Sequence, residues 1–127
     1  MRDSTNQIFH SVILYHVNKA RKEARLKSLK WSEEIVEFVK ADCEAMEVND
    51  DMNHKLIHNF KSDELALACG TLYGCGWISE ENIQTRLGDF LMDPDITHIG
   101  LAKSGFYWKV MFGMPKDKVR SCMVYRP

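Results

Sequence analysis

Apolar positions along the chain change period twice, and those changes outline the elements. Ile8, Val12, Ile13 and Val17, then Ala20 and Ala24, recur at helical spacing. Ser4-x-x-Gln7 stands ahead of them as a capping-box pattern, so the first helix is expected to start there. A second helical stripe runs through Ile35, Phe38, Val39, Asp42 and Met46. Ser32 is its expected N-cap, Glu33 and Glu34 fill its first turn, and Asn49-Asp50-Asp51 ends it. Residues 47–62 read as loop or short helix. Ser62-Asp63-Glu64 then predicts a brief helical stretch, Leu65 to Cys69, stopped by Gly70. The glycines between 70 and 76 predict a tight, irregular loop. Ser79 with Glu80 and Glu81 opens a further expected helix, buried through Ile83, Leu87, Phe90 and Leu91. Beyond the Asp93-Pro94-Asp95 turn the pattern becomes strand-like. Ile96–Ala102 and Phe106–Phe112 are joined by a hairpin signal at Lys103-Ser104-Gly105, and Val119–Tyr125 is a third run. Helices first and antiparallel strands last predict an α+β fold.

Composition narrows the class. At 127 residues the chain fits one domain with a core of its own. Apolar residues at 45% and charged residues at 28% exclude disordered, collagen-like and coiled-coil classes. Seventeen basic and eighteen acidic residues leave a net charge of −1, which gives no global field for nucleic acid. The run Ile8 to Val17 is too short for a membrane span. The start, Met1-Arg2-Asp3-Ser4, lacks the cation-then-apolar order of a signal peptide, so the expectation is an intracellular chain or one whose leader has been removed.

Several residue sets invite chemistry, and each has a plainer reading. Lys19, Arg21, Lys22, Arg25 and Lys27 crowd the end of the first helix, where cations complement the helix dipole. Eight acids between residues 33 and 51 read as a solvated face and lack the alternation of a calcium loop. His54 and His58 stand four apart, a spacing that on a helix puts two imidazoles on one face as a candidate zinc pair, beside the plainer reading of two surface histidines. Lys55 occupies the position where a metalloprotease needs a glutamate. Glu80 and Glu81 suit a helix start, and His98 suits a packed core. Cys43, Cys69, Cys75 and Cys122 allow three full pairings. Cys69 with Cys75 could close a small loop, whereas Cys43 and Cys122 sit on apolar-patterned segments.

Taken in order, these pieces resemble the CAP superfamily of cysteine-rich secretory proteins, antigens and pathogenesis-related proteins (SCP-like domains), in degenerate and shortened form. Asn18-Lys19-Ala20-Arg21 is similar to the N-x-x-R of the family's first helix, and Leu29-Lys30-Trp31-Ser32 to its L-x-W-s segment. Asn53-His54 matches the first site histidine by position. Ser79-Glu80-Glu81-Asn82-Ile83 resembles the G-E-N motif with Glu80 replacing glycine. Asp93–Gly100 and Phe106–Gly113 resemble the closing strands, so the likeness spans about residues 9–113. It implies an α-β-α sandwich and a cleft in which His54, Glu81 and Asn82 are the remnant of a two-histidine, two-glutamate site. The second histidine is missing, and a second register sets Trp77-Ile78-Ser79 on the family's W-x-x-S stretch instead. One imidazole and one carboxylate are too few ligands for a closed metal site, so no cofactor is expected. The implied role is a non-catalytic binding module for a lipid- or sterol-type apolar molecule or a partner protein, extracellular by resemblance. The alternative is a metal-assisted hydrolase using His54 and Glu81.

Overall fold

The computed structural model describes residues 2–76 and 91–118, with side chains from His10 onward except those of residues 69 and 70. Their order is α1 (Arg2–Glu23), β1 (Lys30–Trp31), α2 (Glu33–Asn49), β2 (Leu65–Cys75), β3 (His98–Ser104), β4 (Tyr107–Pro115) and a 3₁₀ turn at Lys116–Lys118. The four strands form one mixed sheet in the order β1-β3-β4-β2. β1 runs parallel to β3, and the other neighbours are antiparallel. The α+β class is therefore the observed one. None of the described helices is long and apolar enough to cross a membrane.

Strand alternation splits the core between the two faces of this sheet. Trp108, Val110, Phe112 and Met114 of β4 pack with Ile99 and Leu101 of β3 and with Ile13 and Val17 of α1. Tyr107 and Met111 of β4 pack on the other face with Ile35, Val39, Cys43 and Met46 of α2. α2 lies directly on β3. A Cβ at Gly100 would come within 2.6 Å of the Ile35 Cβ and 2.8 Å of the Val36 nitrogen, so only glycine permits this approach.

Local signals set the ends of α2 as expected. The Ser32 side chain accepts from the Ile35 N–H at 3.2 Å, satisfying an orphan donor of the first turn. Asp50 closes the helix in the left-handed conformation (φ 48°), and Asp51 N–H reaches back to the Met46 carbonyl at 3.0 Å. The β3–β4 turn consists of Gly105 and Phe106, with Gly105 at φ +60°, the conformation glycine supplies at the first position of a II′ turn.

Other expectations are corrected. α1 begins at Arg2, so Ser4 lies inside the helix and is not its N-cap. Residues 65–75 form one strand, not a helical stretch followed by a glycine loop. Ser62 does accept backbone N–H bonds, from Glu64 at 3.4 Å and Leu65 at 3.2 Å, but this turn feeds a strand. The alanine and leucine content favours helix locally, and pairing of β2 along β4 overrides it. Gly74 belongs to that strand because a Cβ there would meet the Trp108 ring at 2.8 Å. The sheet is not confined to the C-terminal part of the chain, since β1 and β2 precede β3 and β4. Residues 79–90 of the expected helix and the Val119–Tyr125 run lie outside the described residues, while Leu91, the last expected core position of that helix, is buried.

The cation cluster at the end of α1 also acquires a different reading. Arg21 is 1% exposed and donates four hydrogen bonds to backbone carbonyls: Lys27 (2.7 Å), Leu91 (2.8 Å), Asp93 (3.0 Å) and Ile96 (3.3 Å). Asn18 brackets Leu29, accepting from its N–H at 2.7 Å and donating to its carbonyl at 3.3 Å. The N-x-x-R pair thus fixes the approach to β1 and the turn ahead of β3.

Candidate functional site

Between α2, the sheet and residues 51–62 opens a cleft of about 650 Å³. α2 supplies Phe38, Asp42 and Met46 to its wall; β2 and β4 supply Leu67, Thr71, Tyr73, Lys109 and Met111; and the segment after α2 supplies Met52, His54, Lys55, Leu56 and His58. Three methionines, Leu67 and Phe38 give it an apolar lining that can adapt to irregular shapes. The volume is in the range of small-molecule sites, about 300–1,000 Å³.

Asp42 is the polar centre of the cleft. Seven of the eight acids between 33 and 51 are exposed, and Asp42 is the buried exception at 6%. A carboxylate taken out of water requires cationic or hydrogen-bonding partners, and both of its oxygens have one. His58 Nε2 lies 2.6 Å from Oδ1, and Lys109 Nζ lies 2.7 Å from Oδ2. The His58 ring is stacked on Phe38 with centroids 4.0 Å apart and planes 9° apart, and Phe60 meets Phe38 edge-on at 5.5 Å. Asp42 thereby joins α2 to β4 and to the loop.

His54 and His58 both line this cleft, but residues 51–62 are not helical, so the shared helix face expected from their spacing is absent. His58 faces Asp42. His54 follows an Asx turn at Asp51, whose side chain accepts from Asn53 N–H at 2.9 Å and whose carbonyl accepts from His54 N–H at 3.1 Å. Among the described residues no group of three or more His, Cys, Asp or Glu is placed to hold a metal ion. Glu81 and Asn82, the other remnant residues, lie outside the described residues, as does the alternative register at Trp77. His98 is half-buried and 2.7 Å from the Thr97 hydroxyl. Burial lowers its pKa, with Lys30 acting in the same direction.

Cys43 and Cys75 carry free thiols. A Cys69–Cys75 loop closure is excluded by the strand, because six residues of extended chain span roughly 20 Å, far beyond disulfide reach. Cys43 behaves as a core residue. Its thiol donates to the Ala102 carbonyl at 3.4 Å, and burial pushes its pKa up to about 12. Cys122 lies outside the described residues.

Sequence reasoning set Asp42 on the apolar stripe of α2 without giving it a role, and it passed over Lys109, Met52 and Met111. The available signal was an acid at a core position, which demands a basic partner elsewhere in the chain. Nothing local in the sequence identified Lys109 as that partner. No family model, curated protein or solved structure matches this chain.

Proposed function

We propose that the chain is a non-catalytic binding module of the CAP, SCP-like kind, with its two helices and sheet as the α-β-α layers of that architecture. Its cleft takes a lipid- or sterol-type apolar molecule. The observation that carries this reading is the lining: Met46, Met52, Met111, Leu67 and Phe38 converge on one cleft of about 650 Å³, with the buried Asp42 already neutralised by its partners. Apolar side chains on three sides of the cleft, with the Asp42 carboxylate paired to Lys109 and His58, favour a ligand that contributes apolar area. Asn53, His54 and Lys55 leave a polar rim for a headgroup.

A partner protein is the second occupant to consider, favoured by Leu56 in the cleft wall and its neighbour Ile57, which are 40% and 98% exposed. Metal-assisted hydrolysis through His54 and Glu81 is the reading from another class, and it needs a metal that disappears with His54. Native mass spectrometry of the purified protein, set against its denatured mass, separates these readings. A co-purifying lipid mass that persists in His54→Ala supports the apolar-ligand module. Stoichiometric zinc lost in His54→Ala would overturn it in favour of the hydrolase. A saturable complex formed only with a protein would move the assignment to partner recognition.

A further inference from the structure

We propose that residues 51–62 form a strap over the cleft and that the contact of His58 with Asp42 is its latch; its role in admitting a ligand rests on the binding reading above. The strap leaves α2 at the Asp50 cap and rejoins the body at Phe60 and Ser62. Phe60 packs against the α2 side of the core, and the Ser62 hydroxyl donates to Glu34 at 2.9 Å. Between these anchors, residues 53–59 are exposed or half-buried, and Ile57 at 98% exposure contributes nothing to the core. Apolar burial therefore does little to hold the middle of the strap in place. His58 does hold it: Nε2 donates to Asp42 Oδ1 at 2.6 Å and the ring lies flat on Phe38. A short hydrogen bond to a carboxylate belongs to the strong class. Asp42 is itself braced by Lys109 of β4 at 2.7 Å, so the latch closes onto a fixed point of the sheet.

The position of the latch gives it its consequence. Met52, His54, Lys55, Leu56 and His58 all belong to the strap and line the cleft, facing Met46 and Met111. Releasing His58 frees one wall of the cleft while the helix and the sheet stay in place. The strap thus controls access to the apolar lining and carries the exposed apolar side chains of Leu56 and Ile57.

The test reads strap order in the protein without ligand. Backbone ¹⁵N order parameters in the wild-type chain are expected near the rigid value, about 0.85, through 54–59, and to fall below about 0.6 when the latch is removed. His58→Phe keeps an aromatic ring for Phe38 and deletes the hydrogen bond, and Asp42→Leu deletes it from the other side. Both variants are expected to loosen 54–59 and to leave β3 and β4 unchanged. A strap already mobile in the wild-type protein, or equally ordered in both variants, overturns the latch. Because no ligand enters this reading, failure of the apolar-ligand assignment and failure of the latch are separate results.

Discussion

At the scale of single residues, the structure depends on groups whose burial leaves them few alternatives. Arg21 replaces a cluster of missing backbone partners, and the planar guanidinium reaches four carbonyls that a lysine ammonium on a flexible stem cannot satisfy together. Arg21→Met is expected to lower unfolding free energy by about 3 kcal/mol, and Arg21→Lys to recover little of it, as read by urea denaturation. Equal stability of all three proteins would contradict the pinning role. Gly100 is constrained by packing. Gly100→Ala drives a methyl group into Ile35 and the Val36 backbone and is expected to cost about 1–3 kcal/mol in the same assay. Cys43 and Cys75 should differ in reactivity. With its pKa near 12, Cys43 should resist iodoacetamide at pH 8 in the native state, while the exposed Cys75 is modified. Peptide mapping after labelling checks this, and equal labelling of both would mean that the α2 core is open.

At the scale of elements, α2 shows why parts of the chain were legible and others were not. Ser32, the acids of the first turn and Asp50-Asp51 act on backbone groups within a few residues, so sequence order alone sets where this helix starts and ends. The hairpin was legible for the same reason, because Gly105 serves a two-residue turn. β2 was not legible. Its residues carry helical propensity and glycine, and the interactions that make it a strand come from β4, more than thirty residues away. Asp42 and Lys109 meet only through packing of α2 on the sheet, which no local signal announces. Elements also carry the pH response. Burial lowers the pKa of His10, whose ring packs at a tilt of 39° against Trp31 of β1, and that of His98 in β3, both from 6.5. The folded chain therefore binds protons at these sites less readily than the unfolded chain. Their contribution to stability is complete above pH 6.5 and is lost as pH falls through that value towards the lowered pKa. Urea midpoints measured between pH 7.5 and 5 are expected to decline, and to decline less in a His10→Gln, His98→Gln double variant. A midpoint that rises on acidification would reverse the assignment.

At the scale of the molecule, the sheet separates two jobs. Its α1 face carries Trp108, Phe112, Ile99 and Leu101 in a closed core with Ile13 and Val17, while on its α2 face the core gives way to a cleft beside Met46 and Met111. Stability and binding can thus respond to different substitutions. Met111→Ala is expected to weaken an apolar ligand more than it weakens the fold, because Met111 is only half-buried, whereas Phe112→Ala on the opposite face should cost about 3–5 kcal/mol of stability. His54→Ala should leave an apolar ligand bound, since His54 sits in the wall without a described charged partner to lose.

The most direct test of the binding cleft is ¹³C-methyl methionine NMR during titration with a soluble apolar probe such as a short-chain alkyl glycoside below its micelle concentration. Binding at the cleft predicts saturable shifts of Met46, Met52 and Met111, with Met114 on the opposite face unmoved. Shifts that never saturate, or that appear at Met114 and Met92 while the three cleft methionines stay fixed, would contradict the account.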